Sequence, residues 1–406
     1  MAMIKKSQKL SNVCYDIRGP VMVAAEKLER EGHQIIKLNT GNPAPFGFQA
    51  PAGMKENIIT HIDRAQGYVD SKGIASARQV VLEDFQAKGF QGLDLDDIYL
   101  GNGVSELISM VTTALLDRGD EVLIPSPDYP LWTAAVTLAG GTAVHYRCDE
   151  QAGWLPDLAA VEKQITPRTV GLVIINPNNP TGAVYPREII EGFIDLARRH
   201  ELILFSDEIY DRIIYTEDPH WSPAVLADDL VTVTFNGLSK VFLSAGFRAG
   251  WMAVSGPKKG TEDFREGLNI LSNMRLCGNV FSQLAVEAGL SQGLDNIRQL
   301  LQPGGRLREQ RDIIYQGISQ IPGVTCVEPK GALYLFPRLD RQKFNISNDE
   351  KFVLDFLNSE KILLVHGRGF NWAEPDHFRI VFLPPAEQLH RVVSSMTSFL
   401  ANYRQD

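Results

Sequence analysis

The sequence predicts an α/β protein with a mostly parallel central sheet covered by helices and a smaller, discontinuous α+β domain. Between residues 98 and 254, short continuous apolar runs alternate with helical patterns, as expected of strands buried on both faces. Polar residues able to do chemistry gather just past the C-terminal ends of those runs. After Val254 the pattern turns helical and then closes in short strands and helices. A chain of 406 residues is too long for one simple core. The expected division is 1–50 as an N-terminal arm with part of the small domain, 51–300 as the large ligand-binding domain, and 301–406 as the C-terminal small domain.

Taken in order, an amphipathic helix is predicted from Val21 to Glu31, followed by Ile35-Ile36-Lys37-Leu38 and the breaker-rich turn Asn39-Thr40-Gly41-Asn42-Pro43. Asp97-Ile98-Tyr99-Leu100 leads through Gly101-Asn102-Gly103 into a helix beginning at Val104. Glu121-Val122-Leu123-Ile124 leads into Pro125-Ser126-Pro127-Asp128-Tyr129-Pro130, and Val170 to Ile175 leads into Asn176 to Gly182. A helix from Arg187 to Arg199 precedes the strand Leu202-Ile203-Leu204-Phe205, which ends on Ser206-Asp207-Glu208-Ile209-Tyr210. The strand Leu230 to Thr234 then enters the Gly/Ser-containing turn that carries Lys240. Later helices are predicted at Phe264–Met274, Val280–Gly289, Leu307–Ile318, Lys351–Glu360 and Ala386–Leu400. Short strands fall at Val324–Val327, Ala332–Phe336, Ile362–Val365 and Phe378–Phe382.

Composition narrows the function. The chain is 44% hydrophobic and 22% charged, as in an ordinary globular protein. Its net charge of -9 argues against nucleic-acid partners and anionic membrane surfaces. No apolar run is long enough to span a bilayer, and no apolar segment follows the basic residues at the N-terminus. Cys14, Cys148, Cys277 and Cys326 are widely spaced and read as unpaired thiols of a reducing cytoplasm. No metal-ligand spacing, P-loop or nucleophile elbow occurs, and the dinucleotide fingerprint starting at Gly101 fails at Glu106.

The positive signal is convergence. Gly103 with Ser105, then Tyr129, Asn179, Asp207 with Tyr210, and finally Lys240 lie at strand ends, on the rim where open α/β sheets bind ligands. A lysine near a core is suited to Schiff-base chemistry. An arginine eight residues on, Arg248, offers a fork of donors for a phosphate. Lys240, Ser239 and Arg248, preceded by Asn-Pro-Thr-Gly at Asn179–Gly182 and Asp-x-x-Tyr at Asp207–Tyr210, resemble the signature of the aspartate-aminotransferase family of pyridoxal 5'-phosphate (PLP) enzymes.

That resemblance runs from Tyr15 to Phe382 and implies the PLP-transferase fold called fold type I, with the cofactor in the large domain. It implies Lys240 as the Schiff-base lysine and proton shuttle, and Asp207 as partner of the ring nitrogen. Asn179 and Tyr210 match donors to the cofactor's phenolic oxygen, and Tyr129 matches the residue stacked on the ring. Gly103, Val104, Ser105, Ser239 and Arg248 match the phosphate cradle. Tyr68 matches the tyrosine reaching a neighbouring subunit's phosphate, which implies a homodimer with shared active sites. Gly41, Asn179 and Arg379 match the substrate-binding set, with Arg379 clamping the α-carboxylate. Gly237 stands where many relatives have a hydroxyl residue, and Val241–Ser244 and Leu383–Pro385 also depart from the family pattern.

Tyr15-Asp16-Ile17-Arg18-Gly19-Pro20, Asn42 to Phe48, and Asn371-Trp372 with Asp376 to Arg379 look like the bacterial glutamate–pyruvate (alanine) aminotransferases. The resemblance makes the N-terminal arm a substrate-closing segment, with Tyr15 and Arg18 facing substrate. Glutamate's distal carboxylate needs a second cation once water is excluded; Arg18 and Arg275 are the candidates. Another amino-acid specificity, branched or aromatic, and a PLP-dependent C–S lyase are the alternatives on the same fold.

Overall fold

A computed structural model describes residues 4–13 and 19–406. Tyr15 and Arg18 therefore lie outside the described residues. The main sheet has eight strands: β1 (Ile98–Gly101), β2 (Glu121–Ser126), β3 (Thr142–Asp149), β4 (Leu155–Pro156), β5 (Thr169–Ile175), β6 (Ile203–Asp207), β7 (Thr232–Gly237) and β8 (Gly250–Ser255). Their spatial order is β1-β8-β7-β6-β5-β2-β3-β4. Pairing is parallel from β7 through β6, β5 and β2 to β3. β8 runs antiparallel between β1 and β7, and β4 closes the far edge antiparallel to β3.

Strand periodicity sends alternate side chains to two helix layers. Leu172, Ile174 and Leu204 pack with Phe193 and Ile194 of the helix Arg187–His200. Val173, Ile175, Phe205, Val233 and Phe235 pack on the other face with Trp132, Leu107 and Leu268. These last three come from the helices Leu131–Ala139, Val104–Leu115 and Glu262–Met274. Burial on both faces is why β2, β5, β6 and β7 read as unbroken apolar runs in sequence.

The second region joins the two ends of the chain. Ile36–Lys37 pairs in parallel with Ile362–Leu363, so the segment before residue 50 is hydrogen-bonded to the C-terminal part. Phe378–Val381 is the central strand of a three-stranded antiparallel sheet between Tyr334–Leu335 and Val365–His366. The helix Asp349–Glu360 packs here, and the final helix runs from Ala386 to Asn402.

Three sequence expectations shift. β7 begins at Thr232 and continues through Gly237, so Phe235-Asn236-Gly237 is strand rather than turn. Gly237 lies opposite Gly250 in register there and supplies no hydroxyl. β3 had no counterpart among the predicted strands: it is half-exposed, with His145 and Arg147 interrupting its apolar residues, and lacks the apolar run that marked the others. The helices Ala52–Thr60 and Ala75–Ala87 also went unread, because their apolar residues are only weakly sided, and so did Leu294–Leu301, which is short.

Candidate active site

The C-terminal ends of β5, β6 and β7 open onto a cavity of about 610 Å³ between the main sheet and the three-stranded sheet. Asp207, Tyr210, Ser239 and Lys240 line it from the large side, and Arg379 and Tyr334 from the small side. Gly41 and Asn179 also reach it, as do Tyr129, Val104, Ser105 and Arg248. Eleven of the sequence-derived residues thus share one space. Gly103 sits behind Arg248, and Tyr68 is 82% exposed on the surface instead.

Asp207 ends β6 and is 2% exposed. Burial pushes its carboxyl up to about 6, while the Trp132 indole, the Ile209 amide and the nearby Lys240 favour the anion. Trp132 Nε1 donates to Oδ2 at 3.1 Å and the Ile209 N–H to Oδ1 at 3.3 Å. A carboxylate so desolvated is stabilised by a cationic donor, which a protonated ring nitrogen supplies. Lys240 follows β7, and its Nζ donates to the Gly41 carbonyl at 2.6 Å.

At the other end of the cavity the helix Val104–Leu115 begins on Gly103, with no side chain capping it. Its first amides and the positive end of its dipole are the donors an anion needs. Gly103 has φ +85°, and a Cβ there would collide with the Arg248 guanidinium. Both facts require glycine. Arg248 itself takes φ +54°, and Nη1 donates to the Ala245 carbonyl at 2.9 Å. With Ser105 and Ser239 lining the same space, this donor set fits a phosphate. Phosphate donors at one end, a buried carboxyl at the other and a lysine between them fit PLP.

Arg379 is 2% exposed in the middle of its strand. Nη1 donates to Asn179 Oδ1 at 2.9 Å, and Nη2 donates to the Asn39 carbonyl. Its guanidinium carbon lies 4.4 Å from the Tyr334 ring centre and 4.5 Å from that of Phe370. Stacking on two rings fixes the plane of the fork, which is what bidentate carboxylate recognition requires.

Arg275 is not among the residues lining this cavity. Its guanidinium pairs with Glu106 and donates to the carbonyls of Ser71 at 3.0 Å and Leu100 at 2.5 Å. Those contacts give it a structural post between the first turn of a helix, the turn at Ser71 and strand β1. Sequence reasoning missed Tyr334 and Trp132. Tyr334 lies within the apolar run Ala332–Phe336, and nothing in that run distinguishes it from core.

Comparison with known proteins agrees with this geometry. The family model described as aminotransferase class I and II matches residues 33–396. The chain is 55% identical over 405 residues to the glutamate-pyruvate aminotransferase AlaA of Escherichia coli (strain K12), covering 100% of both. It is 56% identical over 401 residues to an alanine aminotransferase of Mycobacterium tuberculosis, covering 98% of this chain and 93% of that one. Among solved structures, an aminotransferase from Escherichia coli superposes with a TM-score of 0.98 at 54% identity, covering 100% of both chains. An alanine aminotransferase from Pyrococcus furiosus gives 0.92 at 38% identity, covering 98% of this chain and 100% of that one.

Proposed function

The chain belongs to the class I and II aminotransferase family, and from that premise we propose that it transfers the amino group of L-alanine to 2-oxoglutarate, giving pyruvate and L-glutamate. Enzymes of this family act on amino acids and 2-oxo acids with pyridoxal 5'-phosphate as cofactor. The names of the relatives at 55% and 56% identity support the substrate pair. The observation that carries the reading is the face-to-face arrangement of Lys240 and Arg379 across one cavity that also holds Asp207.

When bound, the cofactor supplies an electron sink for the carbanion character that develops at Cα. Arg379 holds the substrate α-carboxylate, with Asn179 fixing one arm of the guanidinium. That anchoring directs the Cα–H bond toward Lys240. Lys240, lining the cavity opposite Arg379, would be the base that holds and moves the proton at the substrate Cα. Asp207 would balance a positive ring nitrogen, and Tyr210 and Asn179 would donate to the phenolic oxygen. Ser105, Ser239, Arg248 and the amides after Gly103 would hold the phosphate, and Tyr129 would cover the ring. Gly41 lets backbone approach the substrate carboxylate. By the family resemblance, Arg18 of the arm is assigned to the distal carboxylate of glutamate, and Tyr15 to the substrate-binding set.

The same reading makes the active unit a cytoplasmic homodimer, in which Tyr68 reaches the partner's phosphate. Tyr68 is 82% exposed, and Met274, at 75%, belongs to an adjoining segment tied to it by the Ser71–Asn273 hydrogen bond. Residues 1–50 and 301–406 then form the small body and 51–300 the large one. No helix among the described residues is long and apolar enough to cross a membrane.

The test is initial-rate kinetics across amino donors and 2-oxo acceptors. Alanine with 2-oxoglutarate should give the highest kcat/KM. Preference for a branched or aromatic donor would replace the substrate assignment, and ammonia release without an acceptor would replace transamination by C–S elimination.

A further inference from the structure

Asn371 has no role so far, yet it directly follows Phe370, one of the two rings stacked on Arg379. Its backbone is left-handed, with φ +56°. Its side chain closes a ring with two others. Asn371 Nδ2 donates to Asp128 Oδ1 at 2.6 Å and to Thr133 Oγ1 at 3.1 Å, and Thr133 Oγ1 donates to Asp128 Oδ2 at 3.0 Å. Two further bonds fasten the same place. The Asp128 N–H donates to the Phe370 carbonyl at 3.0 Å, and Ser126 Oγ donates to the Asn371 carbonyl at 2.8 Å. Asp128 itself is fully buried.

Four of these bonds cross between the two walls of the cavity. On the sheet side they hold the turn after β2, whose next residue, Tyr129, lines the cavity. On the other side they hold Phe370. Its buried ring lies 4.5 Å from the Arg379 guanidinium carbon and packs edge to face against Phe336. An anionic carboxylate only accepts, so the amide must present Nδ2 to it. Moving either loop would leave that buried carboxylate short of a donor, which costs more than the bond itself is worth. The seam therefore resists displacement of Phe370 relative to the Asp128 turn.

We propose that Asn371 is a positioning residue for substrate binding, which locks Phe370 to the Asp128 turn and so sets the Arg379 fork relative to Tyr129. This rests on the assignments of Arg379 and Tyr129 made above. An α-carboxylate is common to amino-acid and 2-oxo-acid substrates, so the lock acts on all of them alike. It acts on binding rather than on proton transfer, because Asp207 and Lys240 are placed by the ends of β6 and β7.

The experiment uses the PLP-loaded enzyme at about pH 8.5, where the Asp128 carboxyl, pushed up to about 7 by burial, is ionised. Asn371→Gly removes the donor and keeps the left-handed backbone, which glycine adopts freely. KM for alanine and for glutamate should rise about fivefold, with kcat within about twofold of the parent. Asn371→Asp sets two carboxylates against each other and should raise both KM values further. Combining it with Asp128→Asn again places a donor opposite an acceptor, and both KM values should return to within about twofold of the parent. Amide hydrogen exchange of the cofactor-free protein gives a reading independent of activity. The Asp128 N–H should lose protection in Asn371→Gly and regain it in the swapped pair. Unmoved KM values in Asn371→Gly, a fall in kcat alone, or an Asp128 amide that keeps its protection overturns the proposal. So does a swapped pair no better than Asn371→Asp, whatever its thermal stability. Arg379→Lys, run beside these, separates the two readings. If it raises both KM values and Asn371→Gly does not, only the role of Asn371 falls; if neither does, the assignment of Arg379 falls as well.

Discussion

The cavity has two walls, and they hold their side chains by different means. On the wall supplied by the eight-stranded sheet, Asp207 and Lys240 are placed by local chain: one ends β6 and the other follows β7 within a short turn. On the opposite wall Arg379 lies in mid-strand. Its partners Asn39 and Asn179 are 340 and 200 residues away in sequence, and its stacking partners come from two further segments. Local placement on a rigid sheet suits groups that must meet the cofactor identically in every turnover. Long-range placement makes the α-carboxylate clamp depend on the packing of four segments, so its setting changes when any one of them moves.

The comparison predicts that changes at Asp207 and Lys240 on the sheet wall lower turnover for every substrate, whereas changes at Arg379 on the other wall act through KM. Asp207→Ala should have the largest effect of the substitutions ranked here. Removing one member of a desolvated charge pair costs roughly 3–5 kcal/mol. Stopped-flow measurement should show most of the proton-transfer rate lost and cofactor retained weakly, whichever amino acid is used. Near-normal kcat would take Asp207 out of the mechanism.

Arg379→Lys comes next, because lysine cannot reproduce the fork, and a hydrogen bond to a charged group is worth about 1.5–3 kcal/mol. KM should rise for alanine, pyruvate, glutamate and 2-oxoglutarate alike. A rise confined to one of the four would mean that another group holds the α-carboxylate. Smaller still is Arg18→Ala, at about 1 kcal/mol for a single ion pair with substrate. It should raise KM for glutamate and 2-oxoglutarate and spare alanine and pyruvate. Equal losses for all four would leave the arginine an anchoring role only.

The smallest effect on turnover concerns the seam between the walls. Asp128, just before Tyr129, accepts from Asn371 Nδ2 at 2.6 Å and Thr133 Oγ1 at 3.0 Å, and its own N–H donates to the Phe370 carbonyl at 3.0 Å. Burial pushes its carboxyl up to about 7. With the folded value above the unfolded one, the stabilisation it gives is complete below about pH 4 and is lost as pH rises to and through about 7. Thermal denaturation of Asp128→Asn should show a shallower loss of stability across that range than the parent protein. Identical slopes would show that the carboxyl does not titrate there.

The same contrast explains what could be read in advance. Asp207, Asn179 and Lys240 announce themselves because an apolar run stops and a reactive side chain follows at once. Arg379 stood out as a charge inside a strand. Tyr334 could not be found this way, since a tyrosine among Ala332, Leu333, Leu335 and Phe336 has the look of core and gains its chemistry only from Tyr210, 124 residues earlier. Arg275 shows the converse: the family resemblance made it a candidate for the distal carboxylate, and the fold gives its donors to Glu106 and two carbonyls. The strand Thr142–Asp149, next to the edge of the sheet, was missed because half-exposed strands lack the unbroken apolar run of buried ones.

The central claim is that Lys240 is the amine that carries the cofactor and moves the proton. Borohydride reduction of the purified yellow enzyme, followed by proteolysis and mass spectrometry, tests it most directly. A single pyridoxyl group should be found on Lys240 Nζ. A label on any other lysine, with Lys240 unmodified, would contradict the account.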